Sequence, residues 1–316
     1  MTSNFSPHRG LLVRNLTSSQ RRANRRKREF VQLRRNCYVR SDVWEALTPE
    51  HQHVLRTFDA IDSVQNRSTV VSHVSAAAMW GLPIWDLPLD RVHLSRPGNG
   101  GGRTERSRTI HVAPLSPSDV TRKEGVALTT PQRTIVDIAR TVPFEHAVVV
   151  GDAALNRSLV SKTDLMKCLE RAVNRNGIEA ARRVVEFLDG RSESVGESRS
   201  RVLLHTEFPG MHVQARVVDE RGAVLARVDF LFDEGVIGEF DGRVKYSSHL
   251  RPGETSADAV VREKLREDAL REAGWIVIRW TWADLAHPER LIQRIRRALD
   301  EAYRQQRPTR LWVPAA

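Results

Sequence analysis

The run from Arg227 to Asp241, RVDFLFDEGVIGEFD, constrains the fold of this chain more tightly than any other segment. Apolar and polar residues alternate on both sides of Asp233-Glu234-Gly235. That is the pattern of two antiparallel strands joined by a tight turn. A turn centred on Glu234 sets Asp229 opposite Glu239 and Arg227 opposite Asp241. Directly opposed side chains stand about 5 Å apart. Two carboxylates at that spacing repel unless a cation lies between them or one is protonated. Val228, Phe230, Phe232, Val236 and Phe240 fall on the other face, which is expected to be core. The acids either form a solvated polar face or gather to hold a divalent metal. Their confinement to one face by strict alternation favours the metal.

With 316 residues the chain is expected to hold two or three domains, each able to bury a core. Its net charge of +11 is unevenly spread. Residues 1–40 carry 11 Lys/Arg against the single acid Glu29, whereas residues 161–316 carry 27 against 25. Arg21, Arg22, Arg25, Arg26, Lys27, Arg28, Arg34 and Arg35 suit phosphate contact with counterion release, which makes DNA the expected partner. A disordered tail attracted to any polyanion is the competing reading. Cys37 and Cys168 lie too far apart in sequence to suggest a disulfide framework or a ligand cluster. The N-terminus lacks an apolar signal core, and no apolar run approaches membrane-spanning length, so a cytoplasmic protein with no membrane partner is expected.

Residues 18–36 are helix-permissive, and Val31, Leu33, Cys37, Tyr38 and Val39 read as a hairpin turning at Arg34-Arg35-Asn36. A basic helix followed by a hairpin is what a shortened winged helix retains, the helix entering a major groove and the wing touching backbone. Helices are expected over 49–66 and 69–81, then strands at 91–95 and 109–113. The glycine-rich loop between the two strands, Pro97 to Gly102, has no following helix with Lys-Ser/Thr, so no nucleotide cofactor is expected. Thr130 caps a helix that starts at Pro131 and pairs Arg133 with Asp137. His73 stands on an Ala-rich helix, where a lone imidazole is more often packed core than ligand. Helices over 161–189 and the polar link Gly190–Gly196 close this part. The domains are therefore expected at 1–48, 49–190 and 191–316.

Ser72–Leu82, Val126–Asp137 and Gly151–Leu155 resemble the AbiEi-type antitoxin family of abortive-infection systems. The resemblance covers about 68–155. It implies a transcriptional autoregulator with an N-terminal winged helix and a cognate toxin as partner.

After residue 194 the pattern reads helix, three strands, helix, strand, helix, with Gly274 ending the long helix. This order, with acids on the second and third strands, resembles the restriction-endonuclease-like PD-(D/E)XK nucleases. It is most similar to their branch related to very-short-patch repair endonucleases. The matching pieces are Glu197–Leu204, Ala226–Phe230, Gly238–Gly242 with Lys245 after it, and Ala273–Thr281 followed by Asp284. The fold class expected is mixed α/β: a C-terminal αβββαβ nuclease core, with a remnant winged helix and a small α+β antitoxin-like domain before it.

The resemblance implies a metal-dependent DNA endonuclease or nickase. Asp229 and Glu239 would be ligands to Mg²⁺ or Mn²⁺, and Glu197 would approach from the first helix. Ser194-Val-Gly-Glu197 is also a capping-box pattern, and both roles can hold together. Asp241 stands where the general motif has Lys, and would ligate metal or pair with Arg227. Lys245 would orient water or stabilise phosphate charge. Arg279 would touch phosphate or brace Asp241. The alternative is a non-enzymatic DNA-binding regulator or antitoxin on a degenerate scaffold. An RNA-processing nuclease would share the metal chemistry.

Overall fold

Short strands and a basic helix begin the chain, and acids from a later helix hold them in place. The computed structural model describes residues 8–98, 100–172, 174–242, 255–305 and 311–314. It divides into two units, Met1–Leu188 and Asp189–Ala316. The segment 1–48, expected as a domain of its own, falls inside the first.

In the first unit β1 (Val13–Arg14) leads to α1 (Ser18–Lys27), where Thr17 and Gln20 form a reciprocal capping box. The helix ends at Arg28, whose φ of 51° is left-handed. β2 (Phe30–Arg34) then turns through Arg35-Asn36 into β3 (Cys37–Arg40), giving a sheet of order β1-β3-β2. The helix-then-hairpin order is the expected one. After α2 (Ser41–Ala46), Asp59 of α3 (Pro49–Asp62) accepts from Arg34 at 2.9 Å and from Arg14. These ion pairs anchor a sheet whose own core is small, with only Leu16, Cys37 and Val39 fully buried among its described residues.

The helix expected over 69–81 is instead β4 (Val70–Val71) followed by α4 (His73–Met79). β-Branched Val70 and Val71 pair with β5 (Val92–Arg96) on one side and β9 (Val126–Thr129) on the other. With β6 (Arg103–Thr104), β7 (Arg108–Val112) and β8 (Val120–Lys123) they make a mixed sheet of order β6-β7-β5-β4-β9-β8. Small side chains let α4 pack with every residue buried. Four helices complete the unit: α5 (Pro131–Ala139), α6 (Phe144–Asn156), α7 (Lys162–Arg171) and α8 (Ile178–Phe187). Arg133 is fully buried, held by Asp137 at 2.8 Å and Asp119 at 3.1 Å, so the expected structural pair is a triad.

The second unit runs α9 (Val195–Leu204), β10 (His212–Val218), β11 (Val224–Phe232), β12 (Val236–Phe240), α10 (Ser256–Glu272), β13 (Ile276–Trp280), α11 (Trp282–Leu285), α12 (Pro288–Arg304) and β14 (Leu311–Val313). The sheet order is β13-β12-β11-β10-β14; only β12 and β13 pair in parallel. Short α11 and edge strand β14 are additions to the expected order.

Phe230, Phe232, Val236, Phe240 and Trp280 form one core cluster. Val228 instead packs with Leu231 and Ile237 in the other. The expected single face of five is thus broken between Val228 and Phe230. Opposite this break Gln214 has φ 57°, a left-handed residue inside a strand, and the faces of β10 exchange there too. Two close approaches fix the packing. A Cβ on Gly238 would stand 2.3 Å from Trp280, and one on Gly196 would stand 1.9 Å from Phe240.

Candidate metal centre

The turn that the sequence marks, Asp233-Glu234-Gly235, joins β11 to β12 with Phe230 opposite Gly238 and Phe232 opposite Val236. Carried one residue outward, this register brings Asp229 and Glu239 to neighbouring strands where the two core faces exchange. Asp229 Oδ2 accepts the Phe240 N–H at 2.9 Å, and Oδ1 accepts from Gln214 Nε2 at 3.4 Å. Glu239 is only 9 % exposed. Burial pushes its carboxyl up to about 7, the negative charge of Asp229 adds to the rise, and Arg266 opposes it. The strand pair therefore carries an acid that keeps its proton near neutral pH when no cation replaces it.

Glu197 is brought to the same place by α9. Ser194 caps that helix by accepting the Glu197 N–H at 3.2 Å, and its hydroxyl donates to Glu197 Oε1 at 2.7 Å. Glu197 Oε2 accepts the Glu193 N–H and Gln214 Nε2, both at 2.9 Å. One Gln214 amide thus spans Glu197 and Asp229, so the capping role and a place beside the acids hold together. Trp280 Nε1 donates to Ser200 Oγ at 2.8 Å, tying α9 to β13.

The cations differ from expectation. Arg227 bonds to Glu193 at 2.7 Å rather than to Asp241. Asp241 follows β12, its N–H donating to Trp280 O at 2.7 Å. Arg279 reaches Glu263 at 2.6 Å and Glu267 at 3.0 Å of α10, which corrects the expected brace on Asp241. Arg266, which the sequence did not single out, donates from both terminal nitrogens to Glu239 Oε1 at 3.3 Å and to Glu263 at 2.7 Å. Burial works against the ionised Glu263, but Arg266 and Arg279 more than offset it and hold its carboxyl down to about 2. Lys245 lies outside the described residues.

The donor atoms are carboxylate oxygens, which suit a hard divalent ion such as Mg²⁺ or Mn²⁺. Asp229 and Glu239 are the residues that would hold it, and the raised Glu239 is the acid whose proton such an ion would replace. The three acids are not gathered as tightly as ligands of one bound ion. Among the described residues, the group of three potential ligands within 4.8 Å of one another is His73, His93 and His111.

On the first unit, Arg21, Arg22, Arg26 and Lys27 are exposed on α1, Arg28 caps its end and Arg35 is exposed at the hairpin turn. Arg25 lies on the same helix, and its side chain is outside the description. Arg34 is committed to Asp59, so it is part of the fold's own ion-pair set.

Gln214, Arg266 and the His73 group were not legible in the sequence. Nothing in the residue type marks Gln214 as left-handed, and Arg266 is one of many basic residues on a charged helix. No family model matches the chain, and no solved structure matches it. Two uncharacterized proteins of Mycobacterium tuberculosis, from strains CDC 1551 and H37Rv, are similar to it. Each is 27 % identical over 275 residues, covering 86 % of this chain and 96 % of its own length.

Proposed function

We propose that the unit Asp189–Ala316 is a divalent-metal-dependent endodeoxyribonuclease or nickase, and that the basic N-terminal segment binds its DNA. The observation that carries this reading is the Asp229–Glu239 pair. A buried carboxyl is set beside a second acid that pushes it further from its ordinary range, a cost that strand packing alone has no use for. Asp229 and Glu239 hold the metal. Mg²⁺ or Mn²⁺ bound there supplies a positive centre that polarises a phosphodiester and acidifies water.

The remaining roles belong to the chain. Gln214 fixes the Asp229 and Glu197 carboxylates relative to each other. Arg266 screens Glu239 within the protein and yields when a stronger cation arrives. Asp241 adds negative charge at the end of β12, and Lys245 stabilises charge on the phosphate. Arg21, Arg22, Arg25, Arg26, Lys27, Arg28 and Arg35 contact DNA phosphates. The test is cleavage of supercoiled plasmid by the full chain with Mg²⁺ or Mn²⁺, compared with Asp229→Ala. Metal-dependent nicking lost in the variant supports the reading, and no cleavage at any metal concentration counts against it.

A second reading is a non-enzymatic DNA-binding regulator or antitoxin, with a cognate toxin as partner. The pairing of Arg266 with Glu239 favours it, because a built-in guanidinium gives that acid a cation without metal. On that reading salt-sensitive DNA binding is unchanged by Asp229→Ala and lost on deletion of residues 1–40.

A further inference from the structure

Three histidines far apart in sequence meet in the first unit. His73 opens α4, His93 lies on β5 and His111 on β7, the latter two strands being parallel neighbours. His93 Nδ1 stands 3.0 Å from His111 Nε2, and the His73 ring stacks on His111 with centroids 3.7 Å apart. One ligand nitrogen from each lies within 4.8 Å of the other two. We propose that His73, His93 and His111 form a binding site for one divalent ion of the zinc class, distinct from the carboxylate centre.

Spacing is the first support. Two imidazole nitrogens about 2.0–2.1 Å from a tetrahedral ion stand about 3.3 Å apart, so the hydrogen-bonded His93–His111 nitrogens need to part by only about 0.3 Å to become a ligand pair. Closing the third edge takes rotation of the His73 ring out of its stack on His111. Orientation is the second. His73 Nδ1 lies 2.9 Å from Ser72 Oγ, which in turn accepts from Ser95 Oγ at 2.7 Å. With Nδ1–H donating to Ser72, the lone pair of Nε2 is left for a metal, the outer support that ligating histidines characteristically have. The backbone around them is pinned as well, because Ser72 N donates to His93 O and His93 N donates to Ser75 Oγ.

Backbone strain is the third. His73 has φ 51°, left-handed at the first position of a helix where no such angle is needed. Burial keeps all three imidazoles below their ordinary range. The charges facing them are matched: Arg133 and Arg140 both pair with Asp137, and Arg133 also with Asp119. His73 is buried, and His93 and His111 are half-buried. Three nitrogen ligands leave a fourth position for water or a substrate oxygen.

The test uses the full chain without an affinity tag, stripped with chelator and titrated with Zn²⁺ alone by calorimetry. Co²⁺ absorption provides a second readout. One equivalent of Zn²⁺, a visible tetrahedral Co²⁺ band and an upward shift in Tm are expected. His93→Ala and His111→Ala, checked for folding by circular dichroism, should each bind at least about tenfold more weakly. His146→Ala, a histidine of the same unit outside the group, should bind Zn²⁺ as the wild type does. A folded wild type that takes up no stoichiometric Zn²⁺, or variants that bind unchanged, would overturn the proposal. So would an equal loss of Zn²⁺ binding in a folded His146→Ala.

Discussion

Replacing Glu239 by Gln keeps the shape of a buried side chain and removes its titration. In the folded chain the carboxyl holds its proton up to about 7, against an ordinary value of 4.5. Between those values the folded state binds more protons than the unfolded state, so stability falls as pH rises. The contribution is fully present below pH 4.5 and gone above pH 7. Linkage gives a loss of about 2–3 kcal/mol between pH 5 and pH 8 in the absence of metal. At 9 % exposure Glu239 is little screened by solvent. Other groups titrate over the same range, so the informative quantity is the difference between variant and wild type.

The assay is urea unfolding in chelator at pH 5, 6, 7 and 8, followed by hydrogen exchange in peptides from 189–316. Glu239→Gln is expected to gain on the wild type most steeply between pH 5 and pH 6.5, and to level off above pH 7. Curves that run parallel would refute it, because they would mean that Glu239 is ionised throughout and in no conflict with Asp229.

Asp229→Asn should lower the Glu239 carboxyl toward its ordinary range but leave it raised, since burial is the larger cause; carboxyl carbon NMR across a pH series reads this directly. Gly238→Ala pushes a methyl into Trp280 and should cost about 1–3 kcal/mol, lowering Tm without changing a charge. Asp137→Ala strips a fully buried Arg133 of one carboxylate and should destabilise the first unit by about 3–5 kcal/mol in urea. Replacing Arg21, Arg22 and Arg26 together by Ala should flatten the dependence of DNA affinity on salt by a slope of about 3, with the fold intact. Arg34→Ala should lower stability as well, through Asp59.

Much of the second unit was written in local pattern. Asp233-Glu234-Gly235 and the alternation around it fixed the β11–β12 pairing, and Gly274 with the alternating Ile276, Ile278 and Trp280 marked the end of α10 and the buried β13. The break at Gln214 was not legible, because only a backbone angle reveals that the faces exchange beside Asp229. Val70 and Val71 merged with the following alanines into one apparent helix; their strand character depends on β5 and β9, which arrive later in the chain. The grip of Arg266 on Glu239 and the meeting of His73 with His93 and His111 are long-range events that no spacing encodes. His73 is buried, as expected, but not alone.

Calorimetry of Mg²⁺ binding to the full chain at pH 7.5, wild type against Asp229→Asn, tests the paired-carboxylate metal centre most directly. Mg²⁺ prefers oxygen ligands, so the histidine group does not compete for it. Saturable binding by the wild type, with at least about tenfold weakening in the variant, is the predicted result. No binding, or equal binding by both proteins, would mean that Asp229 and Glu239 do not share an ion.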